Sequence, residues 1–233
     1  NENLLLDIVE DLAKDLHKRD QLAILLTTTG GSSMAVERYV NIVRKHYEKI
    51  IFIVPDFAYS AGTIFCMSGD EIWMDPQVKN KEGNFVPALG YLDKVNELIK
   101  KANDGVLTNA EFLILKDFDL AELRAYEQAK ELTIDLLQKW LVKYKFKNWN
   151  THSSTGNEVT LDDKKDRAKY IADALGDNKK WKSHGRPINI EELEELKLKI
   201  EDYSDNDAVR DRIRSYYKLL QNYTMRYNFN LFV

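Results

Sequence analysis

The sequence predicts an α/β fold, a parallel sheet with right-handed crossovers and a helical half after it. Three observations carry this. The apolar runs "LAILLTT" (22–28), "IIFIVP" (50–55) and "EIWM" (71–74) have the length and continuity of buried strands. The first two run into small-residue turns, "TGGSS" and "AYSAG", which break the strand and open a helix. Segments of helical spacing alternate with the runs. Strands separated by helices pair in parallel, through right-handed crossovers.

Residues 4–18 open the chain as a helix, with Leu5, Ile8, Val9, Leu12 and Leu16 on one face and acids on the other. After Gly30 and Gly31, "SSMAVERYVNIVRKHY" is a helix capped by Ser32 or Ser33, its buried stripe being Met34, Val36, Tyr39, Val40 and Val43. Residues 61–68 make a short helix before the third strand. Beyond residue 90 the pattern turns helical, over 90–103, 117–145, 162–175, from 190 and from about 206, with a polar loop at 148–159. The expected layout is an α/β core over residues 1–115 and a helical half over 116–233 packed on it, the two forming one domain as the alternative.

A chain of 233 residues with 44% hydrophobic and 31% charged residues can bury a substantial core and is not disordered. The net charge of −4 offers no electrostatic case for nucleic acid. The one cysteine, Cys66, sits in "TIFCMSG" and reads as a small buried hydrophobe; with no internal disulfide available, a reducing, cytoplasmic setting is expected. No apolar segment is long enough for a membrane span, and no signal peptide is visible in "NENLLLDIVEDL".

The chemistry concentrates where the two glycine-containing turns leave adjacent strands, because open α/β sheets form their sites at the carboxyl ends of strands. Ser60 stands between Tyr59 and Ala61 at the start of a helix, where unbonded N–H groups and the helix dipole favour a developing oxyanion. Gly30 and Gly31 can bring further N–H groups to the same point. A serine so placed is either a nucleophile or an N-cap, and spacing alone leaves both open.

The stretches "LLTTTGGSSMAVERYV" and "IFIVPDFAYSAGTIFCMSGDEIWMDP" resemble the Clp protease/crotonase superfamily, and within it the serine dehydrogenase proteinase family, related to signal-peptide peptidases. The resemblance covers residues 20–78 and weakens beyond, where "AKYIADALGDNKKWKSHGRPI" is similar to a later family block. It implies a Clp/crotonase-like fold and a serine hydrolase acting on peptide bonds. Ser60 would be the nucleophile, and Gly30, Gly31 and Ala61 would form the oxyanion hole. It also implies a peptide or protein substrate and a homo-oligomer. One departure stands out: after "DEIWMD" the family continues with a stretch that this chain lacks, so a chain break or disorder is expected between Asp75 and Pro76. Two other readings keep the same fold: a binding or assembly protein without turnover, and a crotonase-type acyl-thioester enzyme.

A serine nucleophile needs a base, a lysine of depressed pKa or a histidine. Lys116, in "FLILKDFDL", has the most apolar neighbours of any lysine. Lys130 shares a helical face with Leu123, Tyr126, Ile134 and Leu137. His184 stands in the turn "SHGRP". Against each, the plainer alternatives are a snorkelling lysine and a backbone-bonded turn histidine. The lysine is slightly favoured.

His17, His46 and His152 read as solvated, and no metal-ligand spacing is present, so neither a metal nor a cofactor is expected. "QKWLVKYKFKNWN" interleaves Lys139, Lys143, Lys145 and Lys147 with Trp140, Tyr144, Phe146 and Trp149. Such a stretch can meet nucleic acid or a membrane surface. The favoured reading is core aromatics with cations at a helix C-terminus, which excludes nucleic acid and disfavours a membrane surface. The aromatic end, Tyr216 to Phe232, is expected to be buried within the chain or against another subunit.

Overall fold

The computed structural model describes residues 2–15, 18–75, 88–117, 119–177 and 188–229. Its centre is a parallel four-stranded sheet in the order β1-β2-β3-β4, with β1 at Gln21–Leu25, β2 at Lys49–Val54, β3 at Glu71–Met74 and β4 at Glu201–Asp202. The α/β class and the parallel pairing expected from the sequence are both present. Three strands arise where the apolar runs lie. The fourth has no apolar run of its own: Trp73 pairs with Glu201 and Met74 with Asp202, so distant chain completes the sheet.

β2 is central and alternates as its pleat requires, with Ile50, Phe52 and Val54 buried. β1 departs from the expectation of a strand buried on both faces. It is an edge strand, with Gln21 and Ala23 exposed and Leu22, Ile24 and Leu26 turned toward the core.

Helix α1 (Glu2–Ala13) precedes β1, and α2 (Ser33–His46) and α3 (Ala61–Met67) fill the first two crossovers, α2 burying Val36, Val40 and Val43. α4 (Ala88–Asn103), α5 (Asn109–Lys116), α6 (Leu120–Trp140), α7 (Leu161–Leu175), α8 (Ile190–Glu195) and α9 (Asp207–Arg226) follow. Leu136, Leu137 and Trp140 of α6 and Ala168, Ile171 and Ala172 of α7 join the same core as the strands. Capping boxes at Thr108–Glu111, Thr160–Asp163 and Asn189–Glu192 start α5, α7 and α8.

Between α6 and the loop before α7 the helix widens into a π turn, Leu141–Lys145, closed by the Phe146 N–H donating to the Leu141 carbonyl at 2.8 Å. This turn places Trp140, Leu141 and Phe146 in the core, and Arg44 stacks on the Tyr144 ring at 3.8 Å. The aromatics of the basic stretch are therefore largely structural, as the plainer reading had them. Arg44 also pairs with Asp70 at 2.8 Å, both side chains 8% exposed, and Lys147 reaches the other Asp70 oxygen at 2.5 Å. Burial alone would raise the Asp70 carboxyl. Hydrogen bonds from Lys147, the Ile50 N–H and Arg44 outweigh it and hold that carboxyl below its ordinary range.

The aromatic end is not buried within the chain. Tyr216, Leu219, Tyr223, Met225, Tyr227 and Phe229 are 45% to 68% exposed, and α9 holds no fully buried residue. Its rings stack on one another instead, Tyr223 on Tyr227 at 4.8 Å between centroids. The expected chain break after Asp75 lies outside the described residues, as do Leu16 and His17.

Candidate functional site

The two turns beyond β1 and β2 are fastened side by side. The Thr28 N–H donates to the Phe57 carbonyl at 3.1 Å and the Tyr59 N–H to the Thr28 carbonyl at 3.0 Å, so Thr28 and Ala58 continue the parallel ladder past the strand ends. Within the first turn the Gly30 N–H donates to Thr28 Oγ1 at 3.1 Å. In the second, Thr63 Oγ1 donates to the Ala58 carbonyl at 2.7 Å.

Glycines make this contact possible. Gly30 has φ +101°, and a Cβ there would stand 2.6 Å from the Tyr59 carbonyl oxygen and 2.7 Å from Ser60 Cβ. A Cβ on Gly62 would stand 2.4 Å from Thr28 Cγ2. The glycine turn therefore lies in contact with Ser60. Gly30→Ala should abolish the close approach and destabilise the fold by about 2–4 kcal/mol, combining overpacking with a left-handed φ; thermal melting checks it.

Ser60 is the residue before α3, and its backbone is unusual for a side-chain-bearing residue, with φ 52° and ψ −121°. A capping serine takes an extended backbone and accepts an N–H from its helix. Ser60 has neither: its hydroxyl makes no capping hydrogen bond. The turn is closed by backbone bonds, Gly62 N–H to the Tyr59 carbonyl at 2.8 Å and Thr63 N–H to the Ser60 carbonyl at 3.0 Å. Ala61, at the first position of α3, carries one of the N–H groups that a helix leaves without an internal partner. A half-buried hydroxyl on a strained strand-to-helix turn, beside a glycine turn and a helix N-terminus, brings together a hydroxyl and backbone N–H groups of the kind that acyl transfer uses.

The sequence candidates for the base fall in three different places. Lys116 is exposed at the end of α5, where Phe112, Leu113 and Ile114 are themselves 52% to 61% exposed, so the apolar neighbours do not desolvate it within this chain. Lys130 is half-buried on α6, the helix against which α3 packs. His184 lies outside the described residues. Among the histidines read as solvated, His46 differs: its Nε2 is buried without a hydrogen-bond partner. His152 sits 3.5 Å from Asp163 and edge-on to Trp149.

Sequence reasoning missed Lys145. Its Nζ is buried without a hydrogen-bond partner, and burial pushes its pKa down to about 8 against the opposing pull of Cys66, Asp70, Glu71 and Glu201. Glu71 and Glu201 open β3 and β4, and Cys66 lies near the far end of α3 from Ser60, so this amine belongs to the amino-terminal end of the strands, away from Ser60 at the carboxyl end. Cys66 itself is fully enclosed and burial pushes its thiol up to about 12, which suits the hydrophobe expected from its setting. Among the described residues no His, Cys, Asp or Glu cluster could hold a metal ion, and no helix is long and apolar enough to cross a membrane.

The chain is 27% identical over 177 residues to an uncharacterized protein of Methanocaldococcus jannaschii, covering 76% of this chain and 51% of that protein. It thus spans about half the length of the curated relative it matches. No solved structure matches it significantly. The profile of the ClpP-like SDH-type serine proteinases matches residues 12–226, nearly the whole chain, and the protein belongs to that family.

Proposed function

We propose that the chain is a serine peptidase with Ser60 as nucleophile. The observation that supports this most is the Ser60 backbone at φ 52°, ψ −121°, which carries a hydroxyl unused as a cap against the Gly30 turn. In this reading Ser60 Oγ adds to the carbonyl carbon of a peptide bond while the base takes its proton. The Gly31 and Ala61 N–H groups, with the Gly30 turn holding them in place, receive the oxyanion. Collapse expels the amine, which takes the proton from the base, and water then hydrolyses the acyl-enzyme by the reverse sequence. No cofactor is needed. Assembly into a homo-oligomer is part of the proposal, and the exposed apolar faces of α5 and α9 are the surfaces available for it.

For the base the candidates are Lys116, Lys130 and His184; Lys116 is exposed within one chain and would be desolvated only by assembly on the apolar face of α5. A lysine must be neutral to act, so labelling would keep rising toward alkaline pH; a histidine would give a limb near 6.5 and a plateau above neutral. A fluorophosphonate probe tests the whole reading. Labelling at Ser60 is expected, and its pH profile in wild type, Lys116→Ala, Lys130→Ala and His184→Ala identifies the base. Absence of labelling would favour the non-catalytic reading, and absence together with acyl-CoA binding the acyl-thioester one.

A further inference from the structure

Helix α9 reaches the chain just beyond three adjacent strands. Arg214 Nε donates to Asp75 Oδ2 at 2.7 Å and Nη2 approaches the same oxygen at 2.5 Å; Asp75 directly follows β3. One turn of helix later the Tyr217 hydroxyl donates to Asp56 Oδ2 at 3.1 Å, two residues past β2. The Thr27 hydroxyl, two residues past β1, is buried beside the same phenol and makes no hydrogen bond of its own.

Asp56 and Thr27 are the roots of the two turns that meet at Ser60. Phe57, next after Asp56, receives the Thr28 N–H, and Thr28, next after Thr27, receives the Tyr59 and Gly30 N–H groups. Helix α9 contributes no fully buried side chain, so directed polar contacts have an unusual share in seating it.

We propose that Tyr217 is a positioning residue: its hydroxyl holds the root of the serine turn through Asp56 and lies against Thr27 at the root of the glycine turn, while Arg214 on Asp75 fixes the helix that presents it. The Tyr217–Asp56 hydrogen bond and the Arg214–Asp75 pair carry the clasp, and only its catalytic consequence rests on Ser60 being the nucleophile. Removing the hydroxyl withdraws one donor from the Asp56 carboxylate, while the ring keeps its place.

The test is Tyr217→Phe, with Tyr216→Phe as control, since Tyr216 is 56% exposed on the same helix. Hydrogen–deuterium exchange should quicken by about fivefold or more in residues 27–31 and 56–63 of Tyr217→Phe and stay unchanged in β2. Fluorophosphonate labelling at saturating probe should slow by a similar factor, with the half-saturating concentration unchanged. Tyr216→Phe should match wild type in both. Exchange in the two turns within twofold of wild type, or equal loosening in Tyr216→Phe, would overturn the clasp. If the turns loosen in Tyr217→Phe but wild type does not label, the clasp stands and the nucleophile reading falls.

Discussion

Ser60→Gly should lose probe labelling and peptide hydrolysis by at least about 10³-fold and at the same time become more stable than wild type. The two effects share a cause. A non-glycine residue at φ 52°, ψ −121° carries on the order of 1–3 kcal/mol of backbone strain. Glycine adopts that conformation freely, at about 0.5–1 kcal/mol of added unfolded-state entropy. The net gain of about 1 kcal/mol should raise the melting temperature by roughly 2–4 °C in a chain of this size. Ser60→Ala separates strain from hydroxyl. It keeps the strain, loses the nucleophile and should melt with wild type, because there is no capping bond to lose; an N-cap serine would instead cost about 1 kcal/mol on the same substitution. Labelling that persists in Ser60→Ala, or a melting temperature lower in Ser60→Gly than in Ser60→Ala, would remove the argument from strained geometry to function.

Lys145→Met should stabilise the protein by about 3 kcal/mol at pH 7. The amine falls from an ordinary 10.5 to about 8 on folding, so the unfolded chain binds more protons than the folded one between those values. Stability therefore rises with pH from about 8 to 10.5 and is lower by the full charging cost below 8, at about 1.4 kcal/mol for each pH unit of separation. Methionine fills the same unbranched space without a charge to desolvate. Chemical denaturation of wild type and variant across pH 7–11 isolates the contribution: the difference should shrink steadily above pH 8 and nearly close by 10.5. A variant less stable than wild type at pH 7 would mean that the ammonium is compensated by its acidic neighbours.

Much of the sheet could be read directly. "EIWM" is β3 to the residue, and the helix after Ser60 begins at Ala61, as the sequence predicts. These are local facts, carried by an apolar run and a turn. β4 was hidden because its two residues, Glu201 and Asp202, have no strand signature and exist only by pairing with Trp73 and Met74. Lys145 was hidden for a related reason. In sequence it is one cation among four near a helix end, and only the π turn and the packing of α3 and β3 around it make it a buried amine. Lys116 shows the converse: three apolar neighbours in sequence did not become neighbours in a core, since the capping box aligns α5 without burying any of its residues. At the site, the pairing of two glycine turns was legible. The left-handed backbone of Ser60 was not, because serine has no preference for it and the strain is imposed by the ladder at Thr28 and Ala58.

The π turn at Leu141–Lys145 also fixes how this chain can be aligned with others. It holds one residue more than an α-helical turn would need, and each residue advances a helix by about 100°. A relative with one residue fewer between Trp140 and Phe146 would continue as an ordinary helix, turning the side chains after it by about 100° relative to α3 and β3. Its lysine would then face water, and an alignment pairing it with Lys145 letter for letter would equate two residues in unlike places. Gaps in this stretch therefore sort family members into those that carry the buried amine and those that do not.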